Sequence, residues 1–218
     1  MIGSTYSIGK RVAFLRESGT VCALILAAGL SRRMGDFKPL LPLRGGTLIE
    51  RSVGSALSGG AETVTVVTGH RADEVEDVLR RAFGGRVRFV RNPGYAVTDM
   101  LRSVQVGAAA LPKCEAFFLL PGDMPAVAGS TYEKLLAARE REAAPVIFPA
   151  LNGRRAHPPL IDARLIPEIL AFDGEGGLRG LWERHGDELR SVPVDDGGVG
   201  LDLDTPEDYQ RCRQLYEG

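Results

Sequence analysis

The sequence predicts a single α/β domain, a three-layer sandwich whose mainly parallel sheet is enclosed by helices. Three observations lead there. Val21–Ala27 (VCALILA) and residues 115–120 (EAFFLL) are near-continuous apolar runs, as expected of strands buried on both faces. Helical stretches alternate with such strands, which calls for parallel pairing through right-handed crossovers. No repeat or low-complexity linker divides the 218 residues, a length that one α/β domain accommodates.

The elements follow in order. The first strand ends in Ala28-Gly29. Residues 47–58 read as a helix stopped by Gly59-Gly60. Val64–Thr68 is a second strand. Residues 73–83 (DEVEDVLRRAF) form an amphipathic helix with acids in its first turn and arginines in its last, complementing the helix dipole. A third strand spans 87–90, a helix 100–111, and the fourth buried strand 115–120. Residues 130–141 read as a helix opened by a capping box, Ser130-Thr-Tyr-Glu133. A fifth strand covers 146–149, and 151–161 reads as a loop or hairpin. Helical stretches follow around 163–171 and 178–185, then short strands at 189–194 and 199–203. Thr205 as N-cap and Pro206 at the first helical position start the last helix.

Charge narrows the function classes. The 27 basic and 28 acidic side chains leave a net charge of -1, which argues against a whole-molecule field for nucleic acid or a membrane surface. Residues 1–60 nevertheless carry eight Lys/Arg against three acids, and residues 189–218 three Arg against seven acids. Solvated surface explains most such charges; the sharper reading is an anion-binding region early and a cation-binding region late. Cys22, Cys114 and Cys212 fit no zinc pattern and read as small hydrophobes in a reducing compartment. Residues 1–19 lack the apolar core of a signal peptide, and no apolar run reaches membrane-spanning length. The expectation is therefore a cytoplasmic protein with an irregular N-terminal extension at 1–19 and one domain at 20–218.

Ligands of open α/β sheets collect at the carboxyl ends of strands. The first such end is LAAGLSRRMGDFKPLLPL, residues 26–43. Ala27, Ala28 and Gly29 leave the backbone approachable, so consecutive N–H groups can form an anion nest, with Arg32, Arg33 and Lys38 supplying cations. Neither the P-loop nor the dinucleotide fingerprint is present. Asp123, in Leu119-Leu-Pro-Gly-Asp-Met-Pro125, follows the fourth strand at the same edge. Mg²⁺ takes one or two carboxylates plus phosphate oxygens and water. Asp123 is the leading candidate ligand, the alternative being an Asp bonded to its own turn. A second ligand falls to Asp202 or Asp204, which share a face if Asp202-Leu203-Asp204 is extended as a strand; Asp204 is preferred, or it supports the Thr205 helix start. The three histidines are too scattered for a metal site. His70 lines a base pocket or caps the next helix, and His185 reads as surface.

Leu26-Ala-Ala-Gly-Leu-Ser-Arg-Arg-Met-Gly35 followed by Lys38-Pro-Leu-Leu-Pro-Leu43 resembles the signature of the MobA-like nucleotidyltransferases, which include molybdenum cofactor cytidylyl- and guanylyltransferases. The resemblance extends through Val67-Thr-Gly-His70, Asn92-Pro-Gly-Tyr95 with Met100 and Ser103, Pro121-Gly-Asp-Met-Pro125, His157-Pro158 and Asp202-Leu-Asp-Thr-Pro-Glu-Asp208. It implies a Rossmann-like, nucleotide-diphospho-sugar transferase-like fold and a Mg²⁺-dependent transfer from a nucleoside triphosphate, with pyrophosphate released. It places the nucleotide against Leu26, Ala27, Ala28, Gly29, Thr68, Gly69, Asn92, Ser103 and Gly122. Arg33 is implied at the β/γ-phosphates and Lys38 at the α-phosphate. Ala-Ala-Gly after the first strand marks CTP users in the family and Ala-Gly-Gly marks GTP users, so Ala28 favours CTP. His157 and Arg179, the latter in Gly174-Glu-Gly-Gly-Leu-Arg179, resemble the branch whose acceptor is molybdopterin, with or without molybdenum. A molybdoenzyme or its chaperone is then a further expected partner. Departures are Ala156 and Asp99 where the family has Gly, and Glu175 where it has Asp; Asp99 is expected to repel a phosphate. The rival readings are a guanylyltransferase of the same cofactor, a sugar-, alditol- or methylerythritol-phosphate nucleotidyltransferase, and a non-enzymatic nucleotide-binding insertion chaperone.

Overall fold

Strand β1 (Val21–Ala27) occupies the middle of the sheet because both of its faces are apolar. In the computed structural model, Val21, Ala23 and Ile25 point into one helix layer and Cys22 and Leu24 into the other, none more than 1% exposed. The structure describes residues 19–31, 34–201 and 203–217. All but Gly19 of the extension expected over 1–19, together with Arg32, Arg33 and Asp202, lies outside the described residues.

The sheet also contains β4 (Val64–Thr68), β5 (Val87–Arg91), β6 (Ala116–Pro121), β7 (Val146–Leu151), β8 (Arg154–Arg155), β9 (Leu160–Asp162) and β10 (Arg190–Pro193), in the order β10-β7-β9-β6-β1-β4-β5 with β8 on β7. A small separate hairpin pairs β2 (Pro42–Leu43) with β3 (Gly46–Thr47). The pairs β1–β4, β1–β6, β4–β5 and β7–β10 are parallel, as expected for alternating elements. The exception is β9, which runs antiparallel between β6 and β7; it begins at the end of the stretch 151–161 that reads as a loop or hairpin, after a β7–β8 hairpin. Helices α1 (Leu48–Ser58), α2 (Ala72–Phe83) and α4 (Gly129–Arg141) cover one face. The other face is covered by α3 (Met100–Ala110), α5 (Ile166–Ala171) and α6 (Gly177–His185). The last helix, α7 (Pro206–Glu217), docks through Tyr209 and Cys212 onto Met34, Leu43, Leu48 and Leu203. Among the described residues no helix is long and apolar enough to cross a membrane.

Four local expectations are corrected. The box Ser130-Thr-Tyr-Glu133 does not form, because α4 starts one residue earlier with Ala128 as its N-cap and no side-chain cap. A distant carboxylate takes over: Asp196 Oδ2 accepts from Ala128 N at 2.8 Å and Thr131 Oγ1 at 2.7 Å. Residues 199–203 form no strand among those described. Gly197–Gly200 instead turn as a 3-10 helix whose N-cap Asp196 accepts from Gly198 N, and a Cβ on Gly198 would meet Ala126 O. His185 is not a surface residue: its ring, 15% exposed, sits 2.9 Å from Glu168 and ties α6 to α5. His70 caps nothing, since the N-cap of α2 is Arg71 in the left-handed region.

Candidate active site

Two chain segments far apart in sequence are brought to the end of β1 by packing. After β1, Ser31 (φ 50°) turns the chain, and its hydroxyl accepts from Lys38 N at 3.1 Å. Pro39 then starts a 3-10 turn that holds Lys38, only 9% exposed. From the other end of the chain, buried Leu203 packs into the same cluster as Met34 and Leu43. Thr205 and Asp208 form a reciprocal cap at the start of α7: Asp208 N donates to Thr205 Oγ1 at 3.2 Å and Thr205 N to Asp208 Oδ2 at 3.0 Å. The Tyr209 hydroxyl donates to Pro42 O, fastening this helix to the segment that carries Lys38. Asp204 therefore arrives beside Lys38.

Asp123 arrives from β6. Gly122 N donates to Leu26 O at 2.8 Å, and a Cβ on Gly122 would lie 2.9 Å from that oxygen and 3.0 Å from Ile49 Cδ1. Only a glycine lets the two strand ends approach so closely. The next residue then projects at the rim. Lys38 Nζ stands 2.7 Å from Asp123 Oδ2 and 3.2 Å from Asp204 Oδ1, with side-chain exposures of 11%, 26% and 43%. One ammonium between two carboxylates is a charge-assisted cluster in a partly desolvated setting.

These three side chains line a cleft of about 470 Å³. Leu26, Ala27, Ala28, Gly29, Ser103 and Gly122 line it as well. Gly29 is exposed and a Cβ there would meet nothing within 4 Å, so its backbone faces open space. Of the residues expected at the nucleotide, Thr68, Gly69 and Asn92 do not line the cleft; they stand behind it. Thr68 is fully buried and donates to Glu76 at 3.0 Å. Gly69 lets Tyr95 approach, since a Cβ there would lie 2.7 Å from the Tyr95 Cβ. Asn92 Nδ2 donates to Thr98 Oγ1 at 3.2 Å and Ser103 Oγ at 3.1 Å, while its Oδ1 accepts from Gly94 N at 3.0 Å. His70 packs between Phe37 and Tyr95, ring centroids 5.2 and 6.1 Å away, as a prop for the wall.

The two residues expected at the acceptor are not brought to this cleft. His157 Nδ1 lies 3.3 Å from Leu119 O, beneath the rim in a cis His157-Pro158 turn. Arg179 is 88% exposed on α6 and pairs with Glu183 at 2.9 Å. Thr98, Met34 and Pro39 escaped the sequence reading as wall residues yet line the cleft, and Asp99, expected near a phosphate, lines it too. Asp99 Oδ1 accepts from Arg102 N at 3.0 Å, so it caps α3 while facing the cavity. The acid Glu76 was missed too, although its place in the stripe Ala72, Val75, Glu76, Leu79 marks it as turned inward.

Two convergent carboxylates suit a hard divalent cation that completes its shell with water and phosphate oxygens. Among the described residues no group of three or more His, Cys, Asp or Glu could hold a metal by itself. A cation here would share its ligands with a substrate.

Comparison with known proteins identifies the family. Residues 23–189 match the model of the MobA-like NTP transferase domain. The chain is 32% identical over 193 residues to a molybdenum cofactor cytidylyltransferase of Escherichia coli (strain K12), covering 88% of this chain and 95% of that one. It is 30% identical over 198 residues to a nicotine blue oxidoreductase of Paenarthrobacter nicotinovorans, with the same coverage of 88% and 95%. A solved nucleotidyl transferase from Methanothermobacter superposes with a TM-score of 0.77 at 30% identity, over 91% of this chain and 98% of its own. With three-quarters of its length inside the family model and a fold that nucleotidyl transferases share, the chain belongs to the MobA-like NTP transferase family.

Proposed function

We propose that this protein transfers CMP from CTP to the terminal phosphate of molybdopterin, with or without molybdenum, and releases pyrophosphate. The observation that carries the reading is Lys38 held between Asp123 and Asp204 in a cleft that Ala27, Ala28 and Gly29 also line. The small-residue lining admits a triphosphate to backbone N–H groups. Arg33, five residues before Lys38, meets the β/γ-phosphates, and Lys38 meets the α-phosphate. Asp123 and Asp204 hold Mg²⁺, with Asp202 as the neighbouring candidate. When bound, that ion supplies charge neutralisation at the phosphates and the departing pyrophosphate.

In the reaction, an acceptor phosphate oxygen forms a bond to the α-phosphorus as the bond from that phosphorus to the bridging α–β oxygen breaks in line. The electron pair leaves with pyrophosphate. A phosphate monoester has its second pKa at about 6 and is already a dianion at neutral pH, so no side chain has to remove a proton. The work of the chain is positioning and electrostatic stabilisation: Lys38, buried on most sides, faces the charge that develops at the reacting phosphoryl group.

Ala28, 4% exposed in the cleft lining, supports CTP over GTP through its bulk beside the base. The relative named as a molybdenum cofactor cytidylyltransferase supports the same nucleotide and acceptor. A second reading, oxidation or reduction of nicotine blue, has the nicotine blue oxidoreductase relative in its favour. A screen crossing four nucleoside triphosphates with molybdopterin and several sugar and alditol phosphates separates them. Pyrophosphate released only with CTP and molybdopterin is the expected result. Release with GTP alone, or with a sugar phosphate alone, replaces that assignment; no release in any arm, together with turnover of nicotine blue in a parallel assay, selects the redox reading.

A further inference from the structure

Glu76 is the one acidic side chain buried among the described residues, and the chemistry proposed above does not use it. Its side chain is 5% exposed. Oε1 accepts from Thr68 Oγ1 at 3.0 Å and from Arg91 Nε at 2.8 Å. Oε2 accepts from Arg80 Nη2 at 2.8 Å and from Arg91 Nη2 at 3.2 Å. A carboxylate has about four acceptor sites, and all four are filled.

Arg80 lies one turn along the same helix as Glu76, while the other two partners belong to the sheet. Thr68 is the last residue of β4 and Arg91 the last of β5, two adjacent parallel strands whose carboxyl ends stand beside the cleft. Thr68 O then accepts from Asn92 N at 2.8 Å. Asn92 in turn holds the next segment through Gly94, Thr98 and Ser103. Tyr95, Thr98, Asp99 and Ser103 make one wall of the cleft. A continuous path, hydrogen bonds joined through Thr68 and Asn92 themselves, thus runs from Glu76 to that wall.

We infer that Glu76 is a positioning residue: by clamping the ends of β4 and β5 it fixes Asn92, and through Asn92 the distance between the 93–99 wall and the bound nucleotide. The nucleotide part of this inference rests on the function proposed above; the clamp on the wall does not. Strand cohesion alone gives no reason for an ion pair here, because β4 and β5 already share a parallel ladder over five residues. An apolar pair of similar volume commonly serves stability as well or better, whereas a buried ionic cluster fixes one geometry.

The test uses the full chain, with Glu76→Gln and the apolar pair Glu76→Leu/Arg91→Leu beside wild type. Amide hydrogen exchange of 93–103 is read without nucleotide, and Mg·CTP and Mg·GTP affinities by calorimetry. Glu76→Gln is expected to speed exchange in 93–99 about tenfold, to weaken Mg·CTP about tenfold and to narrow the CTP:GTP ratio, with exchange in β1 unchanged. The apolar pair is expected to keep the melting temperature of wild type and show the same faster exchange and weaker CTP. Unchanged exchange over 93–99 in the variants that fold overturns the inference and leaves Glu76 as a stabilising group. If wild-type protein binds neither nucleotide while Glu76→Gln still loosens 93–99, the nucleotide reading falls and the clamp stands.

Discussion

The two ends of the sheet treat their functional residues differently. On the parallel side, β1, β4 and β6 share a register in which Leu26 lies beside both Val67 and Pro121, so the loops that follow leave from one edge. Ala28, Lys38 and Asp123 meet there, and Asp204 joins them through the Leu203–Tyr209 packing. On the other side the antiparallel β9 interrupts the pattern between β6 and β7. His157 and Arg179, which resemble acceptor residues, belong to that side, and neither lines the cleft. The difference teaches that a motif on a loop leaving a parallel strand comes with its location attached. One on an irregular turn or a separate helix does not.

Substitutions sharpen this contrast. The largest expected effect is Asp123→Ala: CTP-dependent pyrophosphate release should fall by about a thousandfold while the fold, followed by circular dichroism, persists. Turnover retained within a few-fold would remove the parallel edge from the chemistry. Next, Lys38→Ala should lower kcat by about a hundredfold and the affinity for Mg·CTP far less, because its charge is aimed at the transition state. Equal losses in both would recast Lys38 as a binding group. Third, Gly122→Ala places a methyl 2.9 Å from Leu26 O and should cost about 1–3 kcal/mol, read as a lower denaturation midpoint. An unchanged midpoint would show that the strand ends separate freely. The smallest is Arg179→Ala: from an exposed pair with Glu183 it should alter activity less than twofold and stability by under about 0.5 kcal/mol. A tenfold loss there would bring the antiparallel side into the reaction and erase the contrast.

A pH series probes the wall. The Arg91 guanidinium, before the other neighbours, holds the Glu76 carboxyl below its ordinary range. The stability this contributes should be present above about pH 4.3, the ordinary Glu value, and be lost as the pH falls through the lower folded-state value. Urea midpoints of wild type and Glu76→Gln should therefore differ at pH 7 and converge in acid; a constant difference would contradict the ion pair.

Much of the fold was legible in the chain because its signals are local. Val21–Ala27 is apolar at every position, so burial on two faces and a central place in the sheet follow from composition. Residues 73–83 carry acids in the first turn and arginines in the last, a short-range signal that α2 matches. The Lys38 and Asp123 loops were legible for the same reason, each directly following a buried strand or its loop. Local reading failed where a distant group competed. Asp196, 66 residues beyond Ser130, bonds the N-terminus of α4 and leaves the local box unmade. Gly197 to Gly200 turn tightly against Ala126 instead of extending, although Val199 and Leu201 alternate as a strand would.

By itself, then, the sequence determined an alternating α/β sheet, its buried strands and a carboxyl edge carrying cations and an acid, since periodicity and short-range capping act between neighbours in the chain. Only the tertiary structure decided that Asp204 closes on Lys38 from 166 residues away, that Thr68, Gly69 and Asn92 stand behind the cleft, and that Glu76 ties two strands to its wall. Those contacts depend on side-chain packing across elements, such as Leu203 against Met34 and Tyr95 against Gly69, and no periodicity in the sequence encodes which distant surface a side chain will meet.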